Sequence, residues 1–243
     1  MNNHVIVSPL ANPYVLPIKT IDQIIASPVL IVAPHPDDET LGCGGAIASL
    51  RACNCDVRVL VISDGTRSHP NSKKYPAPLL KVLRENETLA ALNILGVEKQ
   101  SVTFLGLQDG SVSKLYQNAV DSCRDYLAEL MPQIIFVPWR HDPHSDHRAT
   151  WNLILTALNQ PLPRIIEYPI WDWDEQQRGN FSNITTCWRL DISKVMELKQ
   201  KAISAYRSQT TNLIDDDPEG FTLTPEMLSN FAHPWEMYLE QKI

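Results

Sequence analysis

The chain alternates between two hydrophobic periods. "VLIVA" at Val29–Ala33 is an unbroken apolar run of strand length. Thr40–Ala52 follows with apolar residues at helical spacing: Leu41, Ala46, Ile47 and Leu50. "DVRVLVIS" (Asp56–Ser63) is a second, β-branched strand pattern, and "PLLKVLRENETLAALNILG" (Pro78–Gly96) predicts a long amphipathic helix opened by proline and closed by glycine. Ser101–Gly106 predicts a third strand, Val112–Met131 a helix, Gln133–Pro138 a fourth strand and Arg164–Pro169 a fifth. Continuous apolar strands alternating with helices predict an α/β fold, a mainly parallel sheet with helices on both faces. Further on, Asp191–Tyr206 predicts a helix, "TTNLIDDDPEG" an acidic loop, and "HPWEMYLE" an amphipathic strand or short helix. No repeat or low-complexity segment divides the chain. The expectation is one domain over residues 1–243, with a core at about 28–170 and a C-terminal extension at about 171–243.

In open parallel sheets, ligands sit beyond the carboxyl ends of the strands. That rule places "HPDDE" after the first sheet strand, "SDGTRSHP" after the second and "RHDPHSDH" after the fourth on one edge. His35 and Asp38 are three apart and can face one point, which begins a metal site; the adjacent Asp37 is then free to act as an acid or base. Helix capping by Asp-Asp-Glu-Thr is the plainer reading of the same residues. His141, His144 and His147 lie within seven residues, with Asp142 and Asp146 among them, out of seven histidines in the chain. Two such clusters can converge into a His-Asp-His site with an open water position, the pattern of catalytic zinc. A polar loop with Asp146 capping the next helix is the alternative. Gly42, Gly44 and Gly45 read as small residues that let a helix pack closely on the sheet.

Composition narrows the function classes. A net charge of −7 argues against non-specific nucleic-acid or anionic-membrane binding. The five cysteines, Cys43, Cys53, Cys55, Cys123 and Cys187, include no C-x-x-C pair, which disfavours a disulfide framework or a cysteine zinc knuckle and suggests small buried residues in a reducing compartment. The first twenty residues lack a basic start followed by a long apolar run, and no stretch approaches the roughly 18 apolar residues of a membrane span. A cytoplasmic protein is expected.

"APHPDDETLGCGG" and "HSDH" together resemble the two signature motifs of the PIG-L/LmbE-like family of zinc-dependent deacetylases. "LRENETLAALNILGV", "FLGLQDGSV" and "WRLDISKVMELKQKAISAYRSQ" are similar to further family segments, in order, over about Val29 to Gln209. The resemblance implies a Rossmann-like fold and hydrolysis of an N-acetyl group, typically on a glucosamine unit of a small amino sugar or glycoconjugate. By motif position, one Zn2+ would be held by His35, Asp38 and His147. Asp37 would be the general base, His144 the electrostatic or acid partner, and Asp146 the group that orients His144. Arg84 and Asp109 would contact substrate, although Arg84 and Glu87 also fit an ordinary surface pair at i,i+3. Tyr206 stands where the family's late motif has histidine. Trp171, Trp173 and Trp188 suit either a sugar-stacking face or, more readily, the core. The rival classes are a non-catalytic metal- or sugar-binding protein on the same fold and a Rossmann-type methyltransferase, the latter suggested only by "LGCGG". The sequence leaves the particular substrate, the metal in the cell and the oligomeric state open.

Overall fold

The computed structural model describes residues 12–114, 117–171 and 186–240. Among the described residues, eight strands form one sheet: β1 (Ile18–Lys19), β2 (Val29–Ala33), β3 (Val57–Ser63), β4 (Val102–Leu107), β5 (Ile134–Pro138), β6 (Arg164–Tyr168), β7 (Thr186–Asp191) and β8 (Trp235–Glu240). Their spatial order is β1-β7-β8-β6-β5-β2-β3-β4. From β6 to β4 every pair is parallel, whereas β8 runs antiparallel to both β6 and β7. The sheet is therefore the expected mainly parallel α/β arrangement, and "WEMYLE" is a strand. Chain order reverses between β2 and β5, so the crevice at their carboxyl ends is the switch point where such sheets bind ligands.

The apolar runs are continuous because both faces are covered. Val29, Ile31 and Ala33 of β2 enter one core, while Leu30 and Val32 enter the other. The first core includes residues of α1 (Asp38–Ala52), α2 (Ala77–Ile94) and α5 (Met196–Ile203). The second is closed by α3 (Gln117–Leu130) and α4 (Ser145–Ala157). Two short helices, α6 (Arg207–Thr210) and α7 (Pro225–Ser229), precede β8.

Several boundaries move for physical reasons. Helix α1 starts at Asp38, two residues before its expected start. Helix α3 is described over Gln117–Leu130; Ser111–Lys114, at the expected helix start, instead form a turn closed by Lys114 N–H on Ser111 O at 3.0 Å, with buried Val112 anchoring it in the second core. The expected helix over Asp191–Tyr206 is shorter, because Thr186–Asp191 is strand β7 and α5 spans Met196–Ile203. The five cysteines are free; Cys43, Cys55 and Cys123 are buried and Cys53 is exposed. No helix among the described residues is long and apolar enough to cross a membrane.

Helix α1 has almost no solvent face. The tail covers it: Glu236 of β8 accepts the Gly45 and Ala46 N–H groups at 2.7 and 2.8 Å, the Lys199 ammonium at 2.8 Å and the Tyr238 hydroxyl at 2.7 Å. Such close approach requires small residues. A Cβ on Gly45 would meet Ile192 Cγ2 at 2.5 Å, and one on Gly42 would overlap the Tyr168 ring, with Cε2 at 2.8 Å. The Tyr168 ring cannot retreat, since it is fully buried and its hydroxyl donates to Val32 O at 2.6 Å. These glycines lie inside a packed helix, which leaves the methyltransferase reading without its loop. Gly42→Ala should therefore destabilise the protein: overpacking of ~1–3 kcal/mol exceeds the helix-propensity gain of ~1 kcal/mol. Thermal unfolding should show Tm lowered by roughly 2–4 °C or more; a raised Tm would contradict the packing account.

Candidate metal centre and active-site cleft

The site begins with a backbone reversal. Asp37 has φ 135°, outside the regions favoured by L-residues, a conformation that costs on the order of 1–3 kcal/mol and persists only where surroundings enforce it. It stands at the N-cap position of α1, yet its side chain makes no capping bond. Instead Asp37 Oδ2 accepts Arg84 Nη2 at 3.0 Å. Its N–H donates to Glu39 Oε2 at 3.2 Å, and its carbonyl receives the Thr40 and Leu41 N–H groups at 3.0 and 2.9 Å. The capping interpretation of Asp-Asp-Glu-Thr is thus replaced by a turn that sends adjacent carboxylates in different directions.

Asp38 faces the imidazoles. Its Oδ2 lies 3.1 Å from His35 Nδ1, 3.3 Å from His147 Nε2, and accepts the His35 N–H at 2.9 Å. His35 Nε2 faces Asp109 Oδ1 at 3.3 Å and Asp146 Oδ2 at 3.6 Å. The rings of His35, His144 and His147 stand 4.8 to 5.3 Å apart. All six expected metal and catalytic residues thereby gather at the switch point, two residues beyond β2 and at the start of α4. His141 does not join them: it is exposed, with its ring edge-on to Trp139.

Three local arrangements add to the expectations. Arg84 is 3% exposed and its guanidinium bonds to Gly65 O at 2.9 Å, Pro36 O at 2.6 Å and Asp37, which holds the turn, while the side chain also forms part of the cleft lining. Glu87 is also buried but pairs elsewhere, with Ser208, so the two do not form a surface pair. Asp146 does not cap α4 with its side chain or grip the His144 ring; its Oδ2 accepts Gly110 N–H at 2.7 Å, because the turn after β4 passes directly beneath it. His144 itself holds the N-cap position, its Nδ1 accepting the Asp146 N–H at 3.2 Å. An acceptor at Nδ1 places the proton of neutral His144 on Nε2. Burial and the neighbouring His147 and His35 charges push His144 down to about 4, so it is neutral near pH 7.

Asp142, which carried no assigned role, is fully buried and central. Its Oδ2 lies 3.4 Å from His147 Nδ1 and accepts the Ile170 and Trp171 N–H groups at 3.2 Å, while Oδ1 accepts His144 N–H at 2.9 Å. A carboxylate behind an imidazole fixes its tautomer and orientation. The sequence signal was the dense "HDPHSDH", which gave the residue types but not their partners.

A cleft of about 630 Å³ opens over these groups. Asp37, Asp38 and His35 lie in its lining; Arg67 and Ser68 contribute from the turn after β3, and Trp171, Phe221 and Leu223 provide apolar lining. Trp171 and Phe221 meet edge-on at 5.6 Å. Trp188 is core, and Trp173 lies outside the described residues.

The donor set suits a divalent cation. Among the described residues, two groups have donor atoms all within 4.8 Å of one another, His35/His144/His147 and His35/Asp109/Asp146. Neither ring nitrogen of buried His147 makes a well-aligned hydrogen bond to the carboxylate it faces, at 3.3 Å for Asp38 and 3.4 Å for Asp142, and Oδ1 of buried Asp146 has no hydrogen-bond partner. Burial disfavours charge on His35, but Asp109, Asp146 and Asp38 outweigh it and raise its pKa well above the usual value. Burial likewise opposes charge on His147, and Asp142 and Asp38 raise it to about 9. Asp38 moves the opposite way to most buried acids: burial raises it, but His147 and His35 hold it far below the usual carboxylate range. Protons on two imidazoles thus supply the positive charge that these carboxylates need.

The fold and this cluster define an α/β protein with a His/Asp cluster at its switch point that could hold a metal ion. The chain belongs to the PIG-L family: the family model described as GlcNAc-PI de-N-acetylase matches residues 30–158. It is 29% identical over 202 residues to a probable N-acetyl-alpha-D-glucosaminyl L-malate deacetylase 2 of Bacillus subtilis (strain 168), covering 76% of this chain and 85% of that protein. The N,N'-diacetylchitobiose deacetylase of Pyrococcus horikoshii is similar in structure, with a TM-score of 0.60 and 25% identity over 86% of this chain and 82% of that one. GalB, the 4-carboxy-2-hydroxymuconate hydratase from Pseudomonas putida KT2440, shares the fold at a TM-score of 0.65 and 22% identity, covering 76% of this chain and 80% of that one.

Cation binding should release protons. Ligating imidazoles must be neutral, whereas His35 and His147 are protonated at pH 7 without metal, so binding should expel about two protons per ion and tighten as pH rises toward 9. Calorimetric titration with Zn2+ in buffers of different ionisation enthalpy measures this directly. Absence of proton release would contradict the assigned protonation.

Proposed function

We propose that the protein is a zinc-dependent amide hydrolase that removes the acetyl group from an amino sugar of N-acetylglucosamine type. The observation that carries the proposal is the split between neighbouring carboxylates: Asp38 turned to two imidazoles, Asp37 turned to Arg84 in the cleft lining. His35, Asp38 and His147 would hold the ion. His144 stands outside that set in this reading, although it is near enough to the two imidazoles to join it, because its Nδ1 accepts the Asp146 N–H, which favours the proton on Nε2. A bound Zn2+ supplies Lewis acidity at the amide carbonyl and makes a water acidic enough to ionise near neutral pH.

The remaining chemistry belongs to side chains. Burial and the neighbouring Asp38 and Glu39 charges raise Asp37, against the pull of Arg84, to about 8. A carboxylate of such basicity suits proton transfer near neutral pH. Asp37 takes the proton from the attacking water and returns it to the departing amine nitrogen. His144 donates Nε2–H to the oxyanion that forms at the carbonyl carbon. The curated relative and the chitobiose deacetylase, both named as deacetylases of N-acetylated sugars, support this substrate class. The shared fold alone does not select it, since a hydratase has the same fold.

The test is acetate release by the metal-loaded protein across N-acetylglucosamine conjugates, including diacetylchitobiose and an N-acetylglucosaminyl malate. His144→Ala should keep metal and lose ~10²–10³ in kcat. Asp37→Asn should keep metal and lose ~10²–10⁴, whereas Asp38→Asn should lose metal. Acetate-free mixtures with every conjugate, or a fully active Asp37→Asn protein, would overturn the proposal.

A further inference from the structure

We infer that Tyr206, through Glu39, is a positioning residue for the reversed turn at Asp37, an inference that rests on the role proposed for Asp37. Glu39 is fully buried, and its two oxygens face different partners. Oε2 accepts the Asp37 N–H at 3.2 Å. Oε1 accepts the Tyr206 hydroxyl and the Thr40 hydroxyl, the latter at 2.8 Å. Tyr206 is 1% exposed and lies in the tail, outside residues 30–158. The Asp37 N–H is the first amide of the turn whose φ is 135°. A strained backbone needs a partner on each side. Arg84 supplies one by gripping the Pro36 carbonyl and the Asp37 side chain. Glu39, fixed by Tyr206, supplies the other.

Helix α2 anchors both arms. One turn along from Arg84, Glu87 accepts Ser208 N–H at 2.8 Å and Ser208 Oγ at 2.6 Å. Those bonds fix the first turn of α6, whose N-cap residue is Tyr206. The Tyr206 carbonyl in turn receives the Gln209 and Thr210 N–H groups, each at 2.9 Å. The Tyr206 hydroxyl is thereby held between Glu39 Oε1 and the Thr40 hydroxyl, the latter at 3.1 Å. Without it, Glu39 keeps only Thr40 and backbone contacts and is free to leave the Asp37 amide. The turn then relaxes toward ordinary φ, and the Asp37 carboxylate swings away from the cleft while the metal residues stay.

Tyr206→Phe, Glu39→Gln and the double variant test this with the full-length, metal-loaded protein. Misplacement of a reacting group by a fraction of an ångström to an ångström costs up to ~10²-fold in rate, so Tyr206→Phe should lower kcat ~10–100-fold while KM and metal content hold. The double variant should be no slower than Glu39→Gln alone, because both changes break one unit. Hydrogen exchange of the peptide over residues 34–41 should accelerate ~10-fold or more in Tyr206→Phe, with exchange in the β-sheet unchanged. This exchange reading stands whether or not acetate is released, so it separates failure of the clamp from failure of the deacetylase proposal. Exchange at 34–41 equal to the parent protein's, or rate losses that add in the double variant, would overturn the inference.

Discussion

The site depends on one backbone constraint, the reversal at Asp37. Two adjacent aspartates in an ordinary helix start would compete for the same positive charge. The φ of 135° prevents this by turning Asp37 toward Arg84 while Asp38 enters α1 and meets His35 and His147. From that divergence come opposite electrostatic fates. Burial raises Asp37, whereas the imidazoles hold Asp38 low despite its burial. A pair of titratable groups pushed apart by their surroundings is what the proposed division into a base and a ligand requires within one short turn.

Keeping such a turn requires a stiff frame, and the tail supplies much of it. Helix α1 is packed on the sheet through Gly42 and against the tail through Gly45. Glu236 draws the Gly45 and Ala46 amides, Lys199 and Tyr238 into one buried network. A buried ion pair of this kind contributes little net stability, but removal of one partner leaves a charge stranded. The network thus fixes where α1 begins, and with it the direction of Asp37 and Asp38. On the far side of the crevice, Asp142 joins the α4 loop to the segment after β6 through the Ile170 and Trp171 amides. Both walls of the site are held by carboxylates that face backbone N–H groups.

Local pattern made much of this legible. The five parallel core strands, the long α2 helix and the strand ends bearing His35 and His147 follow from periodicity and from the rule for ligands at switch points. What the sequence hid was long-range pairing. Arg84 and Glu87 look like neighbours on one helix face, yet one reaches Asp37 and the other Ser208. Tyr206 meets Glu39 across 167 residues, and no local signal announces that contact. Strand β7 was missed because Thr186–Asp191 carries polar and apolar residues without a continuous run; its pairing with β8 makes it a strand. The α3 start was misplaced because apolar Val112 extends the helical period, although its burial belongs to the preceding turn. Asp142 was visible as a residue type, but its partner His147 depends on the fold of the loop between them.

The central claim is that two imidazoles and one carboxylate hold the ion while His144 stays a hydrogen-bond donor. X-ray absorption at the zinc edge of the loaded protein reads the ligand set directly. The account predicts scattering from two imidazole rings at about 2.0–2.1 Å together with oxygen donors and no sulfur. A spectrum that requires three imidazoles would place His144 among the ligands and contradict the division of labour on which the mechanism rests.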